Sequence, residues 1–214
     1  MTTLKKRSMF VLSTCGILGS LLLAAQASYA ALERINVINP KFEANSLGQG
    51  GLTINNIIGW TAVNNGGNGG VFNPDNNEYP GASSIIGGIS PVIGKNVAYT
   101  NGRTIQQQLT AVFQPGSTYK LSVDVGQRLD VPFPSTGAFI QLLAGNTVIA
   151  SSRTPIPGSG SFITATAVYI PRLHNRNQQY DQLAGQPLTI RLGSNDGNTF
   201  TGQVNYDNVR LIKK

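Results

Sequence analysis

The sequence is poor in cysteine, histidine and tryptophan, and each shortage argues against a class of function. Its single cysteine, Cys15, lies in an apolar N-terminal segment, so residues 31–214 have no disulfide, no thiol nucleophile and no cysteine-based zinc site. Its single histidine, His174, lies in a polar stretch that favours a solvated side chain. The sequence has neither a Gly-x-Ser-x-Gly elbow nor a phosphate-binding loop. We therefore expect the protein not to be an enzyme.

Charge is also scarce, at 12% of the residues. Three of the sixteen basic residues lie within residues 1–30, which leaves thirteen against nine acidic residues and a net charge of +4 for residues 31–214. The basic residues are scattered and form no dense stripe, which argues against a nucleic-acid partner. Glycine and uncharged polar residues are plentiful instead. Such a surface is typical of an extracellular protein of strands and loops, and it suits contact with sugar hydroxyls.

The first thirty residues have the pattern of a secretory signal peptide. Lys5, Lys6 and Arg7 form a basic start, residues 9–25 are apolar, and Ser28-Tyr29-Ala30 places small residues at the −3 and −1 positions of a cleavage site. The apolar run is shorter than the ~20 residues of a membrane-spanning helix. We predict cleavage after Ala30 and a secreted or extracellular protein, or a periplasmic one if the cell has an outer membrane.

Residues 31–214 alternate between apolar and polar residues in short runs separated by turns. The clearest runs are residues 104–113, 119–125 and 203–212, and turn signals include Asn101-Gly102 and Gly145-Asn146. No run has the period of an amphipathic helix. The pattern predicts one all-β domain over 31–214, a β-sandwich or jelly roll of about eight or nine antiparallel strands. Residues 48–81 contain several glycine pairs, and we predict that they are mostly loop.

The closing run, residues 203–212, is the strand around which the chain is organised. Strict alternation places Asp207 on the same face as Val209 and Leu211, and it places Tyr206 and Arg210 on the opposite face. A carboxylate on an apolar face needs a partner. The sequence leaves open whether Asp207 contacts a cation, backbone amides or a basic side chain.

Two motifs at the ends of the domain carry a resemblance to a known family. The opening Asn39-x-x-Phe42-Glu43 and the closing Tyr206-Asp207-Asn208-Val209-Arg210-Leu211 resemble the first and last strands of galactose-binding-like jelly-roll domains. Many such domains are secreted, non-catalytic carbohydrate-binding modules. The resemblance implies a carbohydrate-binding or matrix-associated module with a glycan or cell-surface polysaccharide as partner. It also implies a structural calcium held by Glu43 and Asp207, with Asn39 or Lys41 offering a carbonyl.

For the ligand site, planar polar side chains are the first candidates. Arg128 ends a predicted strand, while Gln107 and Gln141 lie on neighbouring ones, so we hypothesise that these three line a concave face that Tyr79 closes from one side. Gln107 is alternatively a buried, satisfied amide, and Arg128 is alternatively one half of an ion pair. The only tryptophan, Trp60, is a further platform candidate, although packing in the core is the favoured reading.

Two alternatives to a carbohydrate-binding module stay open. A structural or adhesion protein of the cell surface would need no ligand pocket. A glycoside hydrolase on the same scaffold would need two facing carboxylates. The carboxylates of Glu43, Glu78, Asp124 and Asp207 are available, but no spacing in the sequence pairs any two of them.

Overall fold

The computed structural model describes residues 31–63, 66–80, 94–171, 182–194 and 202–214. The predicted signal peptide, with its cleavage site after Ala30, and the histidine at position 174 lie outside these residues. Within them, no helix is long and apolar enough to cross a membrane.

The described residues form eleven strands in two antiparallel sheets. The strands are β1 (Glu33–Ile35), β2 (Thr61–Val63), β3 (Asn68–Phe72), β4 (Val97–Asn101), β5 (Thr104–Val112), β6 (Tyr119–Gln127), β7 (Ala138–Ala144), β8 (Thr147–Thr154), β9 (Ser161–Tyr169), β10 (Pro187–Ser194) and β11 (Val204–Lys213). The first sheet has the order β3-β4-β11-β6-β9, with β1 also paired to β11, and the second has the order β2-β5-β10-β7-β8. The predicted all-β jelly-roll sandwich is confirmed.

The main core lies between the two sheets, and the alternation in the sequence explains which side chains fill it. Tyr119, Leu121, Val123 and Val125 of β6 are fully buried, as the period of two predicts. Strands β5 and β10 of the second sheet contribute their alternate residues to the same cluster. The predicted strands from residue 97 onward are therefore found, and β5 and β6 turn their predicted faces inward, whereas β11 does not.

Strand β3 was predicted as loop because it contains Gly69-Gly70. The structure shows why glycine is needed there. A Cβ on Gly70 would overlap the Thr53 carbonyl oxygen and lie 3.0 Å from the Tyr99 ring. Glycine in this strand thus marks a close approach of a neighbouring chain segment, not a turn.

Strand β11 contains a bulge that reverses its alternation. Its ladder with β6 pairs Tyr206 with Val125 and Asp207 with Asp124, and the register then shifts by one residue before Arg210. Directly opposed residues in antiparallel strands share a face, so Tyr206 faces the core and Asp207 the outer side of the sheet. The prediction that Asp207 shares the face of Val209 and Leu211 is wrong, because one inserted residue exchanges the two faces.

A buried carboxylate holds this bulge. Asp124 is 2% exposed, and its oxygens accept hydrogen bonds from Thr164 Oγ1 at 2.6 Å, Asn208 Nδ2 at 2.9 Å and Arg210 Nη2 at 3.0 Å. Asn208 has a φ of 50°, a conformation that asparagine tolerates better than most residues. Asp124 therefore connects β6, β9 and both sides of the bulge in β11.

The chain between β1 and β2 is fastened to both sheets. Val209 N of β11 donates to Pro40 O at 2.8 Å. On the second sheet, Gln107 Oε1 accepts from Ile38 N, and its Nε2 donates to Ile38 O and Gly59 O, all at 2.8 Å. Gln107 is thus the buried, satisfied amide that the sequence left as one alternative.

We predict that Gln107→Ala lowers the free energy of unfolding by about 2–4 kcal/mol, because it removes the three hydrogen bonds of a buried side chain. Urea denaturation measures this. The matched control is Gln108→Ala, since Gln108 is the exposed neighbour on the same strand, and its effect should stay below about 0.5 kcal/mol. Equal losses in the two variants would contradict the role given to Gln107.

Candidate functional site

The outer face of the first sheet has an apolar cluster that is separate from the main core. We call it the outer aromatic cluster, and its buried members are Phe72, Tyr79, Val97, Tyr99 and Phe162. The Tyr79 and Phe162 rings lie 4.8 Å apart, and the Phe72 and Tyr99 rings meet edge to face at 6.0 Å. The outer face of an antiparallel sheet is commonly polar. A buried aromatic group there is therefore a feature that sandwich formation alone does not require.

Four residues that are paired across neighbouring strands form a row on this sheet face, and two of them belong to the outer aromatic cluster. Asn205 of β11 is paired with Tyr99 of β4 on one side and with Gly126 of β6 on the other, and Gly126 is paired with Phe162 of β9. Gly126 leaves room for its neighbours, since a Cβ there would lie 2.5 Å from the Phe162 ring and 2.7 Å from Tyr79 Oη. The Phe162 ring and Tyr79 Oη therefore fill the space above Gly126, with Asn205 directly across the ladder from the glycine.

Polar atoms in this region have no hydrogen-bond partner among the residues described. They are Oδ1 and Nδ2 of Asn205 and Oη of Tyr79, and both residues are 0% exposed. Burial raises the pKa of Tyr79 well above its ordinary value, so its phenol is neutral. Unpaired buried polar groups are rare and cost about 1–3 kcal/mol each. Together with the outer aromatic cluster, they make this sheet face the candidate functional site.

The rim of the cluster carries a network of paired charges. The Arg128 guanidinium lies 5.0 Å above the Phe72 ring. Its nitrogens donate to Glu78 Oε1 at 3.2 Å, Gln203 Oε1 at 3.1 Å and Asp130 Oδ1 at 2.8 Å. Burial is the main cause that raises the pKa of Glu78. The cation is thus matched by carboxylates, in agreement with the ion-pair alternative for Arg128.

Only part of the hypothesised ligand face comes together. Tyr79 and Arg128 both belong to this region, whereas Gln107 and Gln141 are on the second sheet. Gln141 lies on the outer face of that sheet, paired with Arg191 and Ser151. The structure therefore does not bring Arg128, Gln107 and Gln141 onto one concave face, because their strands belong to different layers.

Trp60 belongs to the main core. It is 6% exposed, its ring lies 5.5 Å from that of Phe42, and its Nε1 donates to Asn39 O at 3.4 Å. The favoured reading, a core tryptophan, is the observed one. Sequence reasoning offered Tyr99 as a further aromatic candidate but missed Asn205 and Phe162 as site residues. Only the register of four strands places them in one row, and no short motif records that register.

Three of the residues proposed for calcium lie in the chain segment 39–43, and the fourth, Asp207, lies in β11 of the first sheet. Glu43 Oε1 accepts from Lys95 N and Asn96 N, both at 2.8 Å, and Asp207 Oδ1 accepts from Asn208 N at 2.6 Å. The side-chain oxygen of Asn39 accepts from Ala44 N at 3.0 Å. Lys41 is exposed, so it contributes at most its carbonyl.

The described part of the chain has no group of three or more His, Cys, Asp or Glu side chains that could hold a metal. A calcium ion at this junction would therefore take backbone carbonyl oxygens beside its two carboxylates, which is within the chemistry of calcium. The backbone is unusual here, because Asn39, Phe42 and Asn208 have φ values of 48°, 60° and 50°. Strain of this kind persists where the surrounding structure holds it.

The fold and the outer aromatic cluster define a β-sandwich with a buried apolar group on an outer sheet face. The model of the HpiC1 cyclase family, HpiC1-like, matches residues 33–212. The chain belongs to this family. No curated protein matches its sequence.

Solved cyclases have the same fold. A Stig cyclase, Fisc from Fischerella sp. TAU, in complex with (3Z)-3-(1-methyl-2-pyrrolidinylidene)-3H-indole is 27% identical, with a TM-score of 0.67 over 86% of this chain and 98% of that chain. An apo cyclase from Fischerella sp. is 26% identical, with a TM-score of 0.67 over 86% and 97%. A cyclase from Fischerella sp. TAU in complex with 4-(1H-indol-3-yl)butan-2-one is 27% identical, with a TM-score of 0.65 over 85% and 98%.

These findings correct the expected function. The jelly-roll part of the resemblance is confirmed, but the family within that fold is one of cyclases. The predictions of a non-catalytic carbohydrate-binding module, of a protein that is not an enzyme and of a glycan partner are wrong. The error has a physical cause, since an uncharged polar surface and a jelly roll are compatible with many functions.

We predict that Tyr79→Phe leaves the free energy of unfolding of the ligand-free protein unchanged or raises it by up to about 2 kcal/mol, because it removes an unpaired buried hydroxyl. The matched control is Tyr99→Phe. Tyr99 Oη donates to Thr53 O at 2.9 Å, so this variant should lose about 1 kcal/mol. Chemical denaturation of both variants checks this, and a larger loss in Tyr79→Phe than in Tyr99→Phe would contradict the analysis.

Proposed function

We propose that the protein is a cyclase that closes a ring in a small indole-containing substrate bound at the outer aromatic cluster. The observation that carries the proposal is this buried cluster, with unpaired polar atoms on the same sheet face, in a chain of the HpiC1 cyclase family. The indole compounds bound by two similar cyclases support the substrate class.

The chemistry of the cluster suits such a substrate. Flat aromatic rings pack well against Phe72, Tyr99 and Phe162 in offset or edge-to-face arrangements. Ring closure within one molecule needs the reacting atoms to be held together, and a rigid, dry surface supplies that orientation. Because the charge of Arg128 at the rim is matched by Glu78 and Asp130, the cluster itself stays apolar.

We propose in addition that calcium binds where the opening segment meets β11, through Glu43 and Asp207 with carbonyl oxygens such as that of Lys41. The position of Asp207, two residues before the Val209 N–H that donates to Pro40 O, supports this, since calcium takes carboxylate and backbone carbonyl oxygens. A bound calcium would supply positive charge and rigidity. Glu43 itself accepts hydrogen bonds from the backbone that leads into β4, so a calcium ion here would help to hold Tyr99 of β4 in place.

We propose that the protein is exported and cleaved after Ala30. The basic residues 5–7, the apolar residues 9–25 and the small residues of the cleavage site support this. The mature protein would then lack Cys15 and would be secreted, extracellular or periplasmic.

We predict that the protein binds 4-(1H-indol-3-yl)butan-2-one, and that Phe162→Leu weakens this binding about three- to ten-fold because an aromatic contact is lost. Isothermal titration calorimetry measures it. The control is Phe139→Leu, since Phe139 lies half-buried on the second sheet, and it should bind like the unmodified protein. Absence of binding, or equal weakening in the two variants, would contradict a ligand site at the outer aromatic cluster.

For calcium, we predict that a chelator lowers the melting temperature and that added calcium restores it, because a ligand that binds only the folded state stabilises it. In Asp207→Ala the chelator should have no effect. Glu33→Gln is the control, since Glu33 is an exposed carboxylate paired with Lys213, and it should keep the full response. An unmodified protein whose melting temperature ignores chelation after metal removal would refute the calcium proposal.

A further inference from the structure

We infer that the Tyr79 ring occupies the subsite of the substrate's aromatic ring, and that the turn carrying Tyr79 moves outward when the substrate binds. We call residues 75–79 the Tyr79 turn. The ligand class of this subsite is a flat, uncharged aromatic ring. The inference rests on the proposed function, because it locates the substrate within the same site.

The Tyr79 ring lies where a bound aromatic ring would pack. Its centroid is 4.8 Å from that of the Phe162 ring, with 32° between the two planes. Its hydroxyl lies 2.7 Å from the position that a Cβ on Gly126 would take, so the glycine lets the phenol reach the sheet. Aromatic rings prefer offset or tilted packing of this kind. A substrate ring that packs on Phe162 in this place would therefore exclude Tyr79.

The Tyr79 turn is held together by hydrogen bonds of its own. Asp75 O accepts from Glu78 N at 3.2 Å and from Tyr79 N at 3.0 Å, and Glu78 Oε2 accepts from Asp75 N at 2.6 Å. The turn is tied to the chain after β6 through Glu78, whose carbonyl accepts from Leu129 N at 3.0 Å and whose carboxylate accepts from Arg128 at 3.2 Å. Outward movement therefore breaks these Glu78 contacts and the ring packing, but it leaves the turn itself intact.

Tyr79 differs from the other rings of the outer aromatic cluster in what it loses by moving. Phe72, Tyr99 and Phe162 lie on strands, whereas Tyr79 comes from a turn. Tyr79 Oη is buried without a hydrogen-bond partner among the residues described, whereas Tyr99 Oη donates to Thr53 O at 2.9 Å. In water the Tyr79 hydroxyl gains hydrogen bonds, which offsets part of the cost of leaving the cluster.

The opened subsite selects an uncharged ring. The Phe162 ring and Gly126 border it, and neither carries a charge. Arg128 at the rim keeps its hydrogen bond to Asp130 Oδ1 at 2.8 Å when Glu78 moves away, so the cation stays matched. A charged ligand ring would lose its hydration here without gaining a counter-charge.

Hydroxyl-radical footprinting of the unmodified protein tests the inference, with 4-(1H-indol-3-yl)butan-2-one as the probe. We expect a saturating concentration to raise the oxidation of Tyr79 about three-fold or more, because binding shifts the protein to the state in which Tyr79 is in water. Tyr99 is the internal control and should stay protected. Unchanged or lower oxidation of Tyr79 would overturn the inference, since Tyr79 would then be a fixed wall of the site.

Two variants with opposite expected effects give a second test by calorimetry. Tyr79→Ala removes the competing ring and should bind the probe about ten-fold more tightly, because every molecule is then open to the ligand. Phe162→Ala is the matched control in the contacting ring, and it should bind about ten-fold more weakly. Equal or weaker binding by Tyr79→Ala would contradict the competition between Tyr79 and the substrate.

The outcomes separate the two proposals. If the unmodified protein does not bind the probe, the proposed function is refuted and the inference with it. If the probe binds while Tyr79 stays protected, the ligand site stands and the inference alone is refuted. The footprint of the unmodified protein needs no variant to fold.

Discussion

The hydrogen bonds of Asp124 are the interaction on which the rest of the first sheet depends. They hold the bulge of β11 by pairing one carboxylate with Asn208, Arg210 and Thr164. Because the bulge reverses the alternation of β11, Tyr206 enters the core while Asn205 faces outward. Without the extra residue, the strand could not both fill the core through Leu211 and present Asn205 to the outer aromatic cluster.

The same bulge affects the part of β11 that contacts the chain around Pro40. Strands β1 and β4 pair with different parts of β11, and the chain around Pro40 is bonded to the strand between them. Gln107 fastens the neighbouring residues Ile38 and Gly59 to the second sheet. One strand thus connects the core, the proposed calcium junction and the candidate site. A substitution in any of these three places should therefore alter the packing of the other two.

The two outer sheet faces differ in a way that matters for function. On the second sheet, Gln106, Arg191 and Gln141 form a polar, partly exposed row. On the first sheet, aromatic rings are buried around a neutral amide and a glycine. A polar row of the first kind is what a glycan-binding module was expected to use. The buried aromatic face is the one on which the proposed function rests.

The sequence by itself determined the fold class, most strands and the inward faces of β5 and β6, because alternation with a period of two is a local property of the chain. It did not predict β3, whose glycines look like a turn until Thr53 and Tyr99 are seen to approach them. Nor did it predict the outward face of Asn205. The face of Asn205 depends on the bulge in β11, and Asp124 on the neighbouring strand β6 holds that bulge in place. Tyr99, Asn205, Gly126 and Phe162 belong to four different strands, and only their pairing in the tertiary structure makes them one site.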